Sequence, residues 1–579
     1  MISSFTVSNF KAFGPAQTIP IKPITLIFGP NSAGKSSILH SLLFAHESLR
    51  TGSLDIRQTE LGGQSVDLGG FQQLTHKNDP ERSVVFSFRL PSLPEPYQIA
   101  LDEVDVRLTL QLERSTPADF DALVDQFIFD RMESEQAASE QNLIEKLLTE
   151  TAEGAAVKPV LLRFELSSKG AVILQASRRA KSGLRIDRFV SAHPAFSNFI
   201  KAFASSTTAS EFSAQDTATV IKILDEILPS IELHPNGILC SVRLSISAGL
   251  EGIAPISKAG RSDEIASQAR LILPRLIASI FNSLRNGLRG FFDSLDYLGP
   301  LRCYPPRHVL LESFDDSIKS DGLSEWTALK DPAIREKVNR WLSSDFLSTK
   351  YALDINSFFP VHLVSEALET AFADIVNEKE AQYHEILGGN EETDEILQQP
   401  YSVWDTKLLH RRMMWWIIER CRHSQRRELT LRDRTTGASV SHRDIGIGIS
   451  QLLPVLVKAY AGEGKTIAIE QPEIHLHPAL QAELADVFIE SALGAQKNTF
   501  LLETHSEHLI LRLLRRIRET AAGTLPPEAI PIRPADVAIL YVKPGKDGPQ
   551  VCELPVNDEG DFDEPWPDGF FPERTKELF

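Results

Sequence analysis

A run of eight residues near the N-terminus has the residue types and spacing of a phosphate-binding loop. It matches GxxxxGK[ST] in full and lies between the strand-like stretch ITLIF and the helical stretch SILHSLLFAHESL. This context is what the pattern requires, because backbone N–H groups and the start of the helix then face phosphate oxygens. We predict that Lys35 reaches the β- and γ-phosphates of a nucleotide and that Ser36 ligates Mg²⁺. The nucleotide-binding residues predicted here are Gly29, Pro30, Asn31, Ser32, Ala33, Gly34, Lys35, Ser36 and Ser37.

The other half of such a site is a carboxylate at the end of a neighbouring buried strand, which helps to hold Mg²⁺. The apolar run TIAIE, near the other end of the chain, supplies this carboxylate as Glu470. The next residues are Gln471, a proline and Glu473. The predicted magnesium residues are therefore Ser36 and Glu470, while Gln471 and Glu473 are candidates for handling an attacking water molecule.

The identity of residue 471 sets the expected rate of hydrolysis. An amide does not accept a proton near neutral pH, so Gln471 can orient a water molecule but cannot act as its base. General-base help is typically worth about 10²–10⁴-fold in rate, so turnover should be slow unless Glu473 substitutes. The alternative role of Glu473 is to cap the helix that begins near Pro478, and the sequence leaves both roles open.

The elements that must position these residues are those of a mixed α/β protein. Alternating patterns typical of antiparallel strands occur in VVFSFRL, VDVRLTLQLE, VLLRFELSS and AVILQASR, and helical patterns fill about 117–155, 190–230 and 263–292. At 579 residues, 42% hydrophobic and 24% charged, the chain has the composition of a globular protein with two or more units. The four cysteines form no CxxC pair, which gives neither a disulfide framework nor a zinc knuckle.

Charge and hydropathy exclude several classes of protein. A net charge of −18 argues against indiscriminate nucleic-acid binding by the whole surface. The opening MISSFTVSNF lacks the charged start and apolar core of a signal peptide. No apolar run approaches the roughly 20 residues that span a bilayer. A cytoplasmic location without a membrane partner is therefore expected.

Four motifs stand in the order found in one group of ATPases. They are NFKAFG…ITLIFGPNSAGKSSIL, DIGIGISQLLPVLV, IEQPEIHLHP and LLETHSEHLI. Together they resemble the ABC-type ATPase heads of the RecF, SMC and OLD (overcoming-lysogenization-defect) class, over about the first 45 residues and about 440–515. The tail WPDGFFPERTKELF looks like the ending of an uncharacterised branch of these bacterial ATPases. The resemblance implies an α/β fold, an ABC-type P-loop NTPase head with mixed antiparallel and parallel sheets and a large helical insertion.

The resemblance also implies a signature loop that binds the γ-phosphate held by a second head. In this chain the loop follows Asp444, and its residues are Gly446, Gly448, Ser450 and Gln451. The alternative is that the two glycines only turn a hairpin into a helix, since DIGIGISQ departs from the usual LSGGQ. If the loop acts on a neighbour's nucleotide, two heads close around two ATP molecules, and a homodimer or higher homo-oligomer is expected.

Further roles follow from the same resemblance. His505, directly after a strand-like run, matches the switch histidine that senses the γ-phosphate. Lys11 matches a basic residue that touches nucleotide in SMC-type heads. The glutamine-bearing loop has two competing candidates, which are the pair Gln72 and Gln73 and the turn that contains Arg302.

A basic stretch is a candidate contact for nucleic acid or for a protein partner. From Lys407 to Arg434 the chain has nine Lys or Arg against three Asp or Glu. On a helix, arginines that partly share a face can track a phosphate backbone. The alternative is a cationic helix paired with an acidic protein surface. The arginines concerned are Arg411, Arg412, Arg422 and Arg426, and we predict that Met414, Trp415 and Ile418 pack inward.

We divide the chain into six predicted segments. They are an N-terminal ATPase lobe with the phosphate loop (1–115), an inserted α+β region (116–295), a return strand and loop of the ATPase core (296–322), a helical lobe (323–427), a C-terminal ATPase lobe with the signature, Glu470 and the switch histidine (428–530), and a C-terminal strand with an acidic tail (531–579).

The stretch after His505 is too short for the Toprim-type nuclease domain of OLD proteins. Stand-alone heads of this kind often belong to anti-phage defence operons. The resemblance therefore implies an ATPase with ATP and Mg²⁺ as cofactors, slow or partner-stimulated, that senses infection and controls a separate effector such as a nuclease or toxin. Two alternatives stay open: a RecF- or SMC-like DNA repair or recombination ATPase, with DNA as partner, and a scaffold that uses ATP only to assemble.

Overall fold

The fold is that of a computed structural model. It describes residues 2–92 (apart from 64), 102–114, 157–178, 183–191, 213–244, 261–302, 323–343, 349–387, 406–421 and 426–565, with the short pieces 193, 200, 203–204, 309–310 and 347. The predicted helical pattern at about 117–155 and the end of the acidic tail lie outside these residues.

The strands and helices of the described residues follow in chain order. The strands are β1 (Ser4–Ser8), β2 (Gln17–Pro20), β3 (Ile24–Phe28), β4 (Val84–Ser92), β5 (Asp102–Arg114), β6 (Val157–Ser168), β7 (Ala171–Arg178), β8 (Leu184–Phe189), β9 (Ile231–Asn236), β10 (Leu239–Leu244), β11 (Leu295–Leu298), β12 (Val309–Leu310), β13 (Tyr351–Phe358), β14 (Arg426–Asp433), β15 (Ser439–Val440), β16 (Thr466–Glu470), β17 (Thr499–Glu503), β18 (Val537–Lys543) and β19 (Gln550–Glu553). The helices are α1 (Lys35–Thr51), α2 (Phe71–Leu74), α3 (Ala214–Ile227), α4 (Arg261–Ser294), α5 (Leu323–Ala328), α6 (Pro332–Trp341), α7 (Val361–Leu387), α8 (Thr406–Cys421), α9 (Ile447–Tyr460), α10 (Pro478–Leu493) and α11 (Glu507–Ala522).

A six-stranded sheet carries the phosphate loop. Its order is β11-β16-β17-β3-β18-β19, and every neighbouring pair is parallel except the last. Every residue of β3, β16 and β17 is buried. Strands covered on both faces need continuous apolar runs, which explains ITLIF, TIAI and TFLL. Parallel strands end at the same edge, so the residues that follow β3, β16 and β17 come together there.

A nine-stranded antiparallel sheet forms the rest of the nucleotide-binding unit. Its order is β10-β9-β8-β7-β6-β5-β4-β1-β2. Phe44 of α1 stacks on Phe86 of β4, with ring centroids 5.4 Å apart, and one apolar core includes both sheets, α1 and α4. Strands β6 to β10 continue the sheet of β1 and β4, because β5 and β6 pair along nearly their whole length. The predicted region 116–295 is therefore built onto the N-terminal lobe.

The chain divides into two compact units. The first comprises Met1–Cys303, Ser317–Gly322 and Pro454–Phe579, and the second comprises Tyr304–Asp316 and Leu323–Leu453. The second unit holds helices α5 to α8 and a four-stranded sheet in which β14 lies between β12 and β13 and also pairs with β15. The boundary thus falls at 453/454, where 427/428 is predicted from the sequence, because the hairpin β14–β15 pairs with β13.

The predicted α/β fold class, with antiparallel and parallel sheets and a helical insertion, is confirmed. Across the described ranges, each helix is too short or too polar to cross a membrane.

Candidate nucleotide-binding site

The phosphate loop leaves the end of β3 and enters α1 at Lys35. Gly34 has φ 90°, and a Cβ there would lie 2.6 Å from Cβ of Ala12, so both the backbone conformation and the space require glycine. Helix α1 has no side-chain cap and no acidic residue in its first turn. Its first N–H groups and its positive end are therefore left for an anion.

Lys35 lies at the base of the loop. Its side chain is 4% exposed, and its Nζ donates hydrogen bonds to the carbonyl oxygens of Gly29 (3.2 Å) and Pro30 (2.9 Å). Burial lowers the pKa of Lys35, and the carboxylates of Glu503, Glu473 and Glu470 oppose this shift. The loop crest at Asn31 and Ser32 is exposed, so phosphate can reach the amides. The predicted loop residues thus lie together in one cradle.

Glu470, the last residue of β16, is held by side chains that sequence patterns did not indicate. The hydroxyl of Tyr297 on β11 donates to Glu470 Oε1 at 2.9 Å, and His40 Nε2 of α1 lies 3.4 Å from the same oxygen. Tyr297 is 1% exposed, and burial followed by the charge of Glu470 raises its pKa, so the phenol stays a donor. Glu470 is thereby fixed at the sheet edge.

Lys11 joins this network through the tight turn between Phe10 and Phe13. Its Nζ lies 3.0 Å from His40 Nδ1, which places the predicted nucleotide contact one side chain away from Glu470. Burial lowers the pKa of Lys11 to about 8. The backbone N–H of Lys11 also donates to Leu74 O of α2 at 2.6 Å. This bond places α2 beside Lys11. The glutamine-loop candidates Gln72 and Gln73 lie on α2, and both are exposed.

Arg302 supports the backbone after β16. Its Nη2 donates to the carbonyl oxygens of Glu470 (3.3 Å) and Gln471 (3.0 Å), and burial lowers its pKa to about 10. Gln471 has φ 46°, and its N–H donates to Glu503 O at 2.8 Å. A left-handed backbone at a residue other than glycine is strained, and these bonds hold it in place. The competing glutamine-loop candidate Arg302 is thus a support for the strand end.

Glu473 and His505 are brought together. Glu473 is buried, and its Oε1 accepts the backbone N–H of His505 at 2.7 Å. The cap of α10 is His477, whose Nδ1 accepts the N–H of Ala479 at 3.3 Å, so the alternative that Glu473 caps this helix is wrong. Burial, followed by the charge of Lys35, lowers the pKa of His505 to about 4. His505 is therefore neutral at physiological pH.

Glu503, the last residue of β17, lies in the same cluster and is not among the residues predicted from the sequence motifs. It is 4% exposed, and its Oε1 lies 4.0 Å from Lys35 Nζ. Its Oε2 is buried and has no hydrogen-bond partner among the described residues. Burial, with the charge of Glu470 added, raises the pKa of Glu503 to about 7, against the opposing effects of the Ser36 hydroxyl and Lys35.

These residues fit a magnesium ion with nucleotide. The donors are the Ser36 hydroxyl and carboxylates at the ends of β16 and β17, and Mg²⁺ prefers such oxygen ligands. The unpartnered Glu503 oxygen is one that a cation would satisfy. Within the described ranges, no three His, Cys, Asp or Glu side chains converge into a metal cage. This suits Mg²⁺, which usually takes one or two carboxylates and completes its shell with phosphate and water.

The signature residues stand at the start of α9. Gly446 is exposed just before the helix, and Gly448 is its second residue. Ser450 is 2% exposed and its Oγ donates to His442 O at 3.1 Å, while Gln451 is also buried. The predicted contact of the Ser450 hydroxyl with a neighbour's phosphate therefore does not fit, because that hydroxyl faces inward. The two glycine amides remain at the helix start.

The structure describes two of the four predicted arginine side chains, and these two lie on different elements. Arg411 on α8 and Arg426 at the start of β14 are exposed, whereas Arg422 and the side chain of Arg412 lie outside the described residues. The prediction that the apolar residues of this helix pack inward is wrong, because they are exposed although α8 packs against α7. Those residues and their exposures are Met414 (42%), Trp415 (58%) and Ile418 (49%).

Three family models match parts of the sequence. An AAA domain model matches residues 4–87, which contain the phosphate loop, and an AAA ATPase domain model matches residues 315–510, which contain Glu470 and His505. A model of a protein family of unknown function, DUF3696, matches residues 532–579. No curated protein matches this chain.

Similar solved structures include three SMC heads. A crystal structure of the SMC head bound to the C-winged helix domain of ScpA has 11% identity and a TM-score of 0.34, with 96% of this chain and 97% of that chain covered. The Smc head with an extended coiled coil bound to the C-terminal domain of ScpA, from Pyrococcus furiosus, has 12% identity, coverage of 96% and 96%, and a TM-score of 0.32. The SMC head domain from Thermotoga maritima has 9% identity, coverage of 96% and 99%, and a TM-score of 0.30.

One AAA model covers β3 and the phosphate loop, and the other covers β16 and β17, so together they include the three strands whose ends meet at the edge of the parallel sheet. Together with the cradle around Lys35 and the carboxylate of Glu470, they indicate that the chain carries a nucleotide-binding ATPase domain.

Proposed function

We propose that this protein is an ATP-gated clamp, which binds ATP with Mg²⁺, dimerises around it and hydrolyses it slowly. One observation supports this most directly. The ends of three adjacent parallel strands place Lys35, Glu470 and His505 around one cradle, while the position after Glu470 holds an amide in place of a carboxylate. The geometry therefore favours gripping the triphosphate over rapid turnover.

Binding is carried by the loop and by Lys35. The N–H groups at the start of α1 donate hydrogen bonds to the phosphate oxygens, and Lys35 exchanges its bonds to the loop carbonyls for bonds to the β- and γ-phosphates. Ser36 and Glu470 would hold the magnesium ion, which would supply positive charge against the phosphate oxygens. Tyr297 and His40 keep Glu470 in position for that role.

Hydrolysis needs a group that takes a proton from water. Gln471 can only orient the water. Glu473 uses Oε1 to accept the His505 N–H, and burial raises its pKa, so its first role is to position His505. Neutral His505 can accept or donate one hydrogen bond at the γ-phosphate. Because Gln471 occupies the position after Glu470 and His505 engages Oε1 of Glu473, we expect slow turnover, which a partner that reshapes this turn would accelerate.

Closure of two copies would use the start of α9. Gly446 and Gly448 leave backbone N–H groups and the positive helix end for the γ-phosphate on the partner. Such a twofold arrangement makes nucleotide state a switch between separate and paired heads.

For the biological role we propose the sensor or regulatory subunit of an anti-phage defence system, which controls a separate effector protein. The support is the motif resemblance to stand-alone OLD-like ATPases. The alternatives are a RecF- or SMC-like ATPase acting on DNA and an assembly scaffold. Purification of the native complex with and without ATP, followed by mass spectrometry, separates them. A co-purifying effector without DNA favours defence, and bound DNA favours repair.

The clamp is tested by measuring ATP binding and steady-state hydrolysis on the same protein. We expect tight Mg²⁺-dependent ATP binding with slow turnover, and loss of both in Lys35→Ala. The matched control is Lys497→Ala, which removes an exposed lysine that bonds only to Leu493 O nearby. Rapid turnover that persists in both Gln471→Ala and Glu473→Gln would contradict the proposal.

A further inference from the structure

The strand register places two carboxylates side by side. Glu470 and Glu503 are directly paired residues of the parallel strands β16 and β17. Directly paired residues of adjacent strands point to the same face, and adjacent strands lie about 4.8 Å apart. Strand β17 is also the neighbour of β3, the strand that runs into the phosphate loop, whereas β16 is one strand further away. Glu503 is therefore the carboxylate on the strand next to the phosphate loop.

The two carboxylates differ in how far the protein satisfies them. Glu470 accepts a hydrogen bond from Tyr297 and is close to His40. Glu503 has Lys35 4.0 Å from Oε1 and the Ser36 hydroxyl nearby, but its Oε2 has no hydrogen-bond partner among the described residues although Glu503 is 4% exposed. An unpaired buried carboxylate oxygen is costly, and its raised pKa reflects that cost. A cation at this place would remove the cost.

We propose that Glu503 is a magnesium-binding residue, which together with Ser36 and Glu470 holds the ion that accompanies the nucleotide. The inference rests on the proposed ATP-binding function and adds a second carboxylate to its metal position. Ser36 is adjacent to Lys35 in α1, and its hydroxyl stabilises the charged form of Glu503. The Ser36 hydroxyl and the two buried carboxylates at adjacent strand ends would thus hold the ion beside the phosphate loop.

The test is metal and nucleotide binding by the full chain, measured without turnover. Calorimetry with the non-hydrolysable analogue AMP-PNP, in Mg²⁺ or in EDTA, gives the metal-dependent gain in affinity. Electron paramagnetic resonance with Mn²⁺ counts the bound ion directly. We expect Glu503→Gln to lower Mn²⁺ affinity in the ternary complex by about 10- to 100-fold. AMP-PNP affinity in EDTA should be unchanged or higher, because a negative charge near the phosphates is gone.

Two further variants make the result specific. Glu503→Asp keeps a carboxylate on a shorter stem, and it should retain more Mn²⁺ affinity than Glu503→Gln. Glu483→Gln is the matched control, because it also removes a carboxylate with an unpartnered oxygen; Glu483 lies in α10, near Arg512 of α11. It should bind metal and nucleotide like the wild type.

The outcomes separate this inference from the proposed function. If the wild type binds no AMP-PNP under either condition, the ATP-binding function itself fails. If the wild type binds and Glu470→Gln loses Mn²⁺ while Glu503→Gln keeps it within about twofold, Glu503 is only structural. Equal loss in Mg²⁺ and in EDTA would likewise overturn the inference, because it marks a general disturbance of the loop.

Discussion

At the scale of single residues, the site is a group of buried charges that offset one another only in part. Lys35 faces three carboxylates, and the pKa values of Glu473 and Glu503 are raised by burial. His505 is kept neutral by burial and by Lys35. Such perturbed groups at one sheet edge are typical of a functional site. Their protonation states are therefore the first property to test.

In the proposed mechanism the amide at position 471 limits hydrolysis, so a carboxylate at this position should raise the rate of ATP hydrolysis. We expect Gln471→Glu to increase the steady-state ATPase rate by at least about tenfold, toward the 10²–10⁴-fold worth of a general base. ATP affinity should change little, since Lys35 and the loop are untouched. Gln471→Ala serves as control and should give no increase. A Gln471→Glu protein no faster than wild type would place the base elsewhere.

The raised pKa of Glu503 makes stability depend on pH in a defined direction. Its folded-state pKa of about 7 exceeds its ordinary value of 4.5, so its contribution is complete below pH 4.5 and is lost as the pH rises through 7. In EDTA, the wild type should therefore lose unfolding free energy as the pH rises from 4.5 to 8, whereas Glu503→Gln should not lose this contribution. The difference in unfolding free energy between the two proteins should change by on the order of 3 kcal/mol, in favour of the variant. Urea unfolding at a series of pH values measures this.

His505 supplies the opposite control. Its folded-state pKa of about 4 lies below its ordinary 6.5, so its contribution to stability is present above pH 6.5 and is lost as the pH falls through 4. His505→Gln should flatten the acid side of the curve and leave the alkaline side unchanged. Parallel curves for wild type and Glu503→Gln would mean that Glu503 has the same pKa in the folded and the unfolded protein, and would contradict the prediction.

At the scale of elements, two buried strands with the same pattern, an apolar run that ends in glutamate, position the carboxylates of the site. TIAIE and TFLLE are both buried runs that end in glutamate, and they become β16 and β17. The sequence permits both strands and the loop to be predicted, because each is contiguous. That Glu470 and Glu503 are paired depends on strand register, which no local pattern states. The repeated ending was nevertheless a signal that could have identified Glu503.

Other contacts lay beyond sequence reasoning for the same physical reason. Tyr297 reaches Glu470, and Arg302 reaches the next carbonyl, across long separations in the chain. The signature motif predicts that the Ser450 hydroxyl contacts a partner's phosphate, but in the structure this hydroxyl donates a hydrogen bond to His442 O. Helix α8 has an apolar stripe typical of a core, and yet Trp415 is exposed. Local periodicity predicts an element and does not specify what covers it.

The start of α9 should respond to an added charge. Gly448→Asp leaves the helix stable, because a negative side chain suits a helix N-terminus, but it repels a γ-phosphate offered by a second copy. We expect at least about tenfold weaker ATP-dependent dimerisation, measured by light scattering, with unchanged ATP binding by each monomer. Ser450→Ala is the control, because its buried hydroxyl serves the fold. Equal dimerisation in Gly448→Asp would remove α9 from the interface.

At the scale of the whole molecule, nucleotide state should set the number of copies that associate. We expect the wild type to be mostly monomeric without nucleotide, dimeric with Mg²⁺ and AMP-PNP, and monomeric again with ADP. Because the net charge is −18, repulsion between copies weakens with salt, so moderate salt should favour the dimer. Analytical ultracentrifugation under the three conditions measures this. An unchanged mass in all three would rule out the switch.

The order of strands in the parallel sheet has a consequence for biosynthesis. The strand that leads into the phosphate loop is made before the other strands of this sheet, whereas its two neighbours, β17 and β18, are made near the C-terminal end. While the ribosome translates the intervening chain, β3 has two unpaired edges, and unpaired edges invite aggregation. A nascent chain that stops before β18 would therefore leave ATP without a finished pocket, and chaperones would have to protect that edge until translation ends.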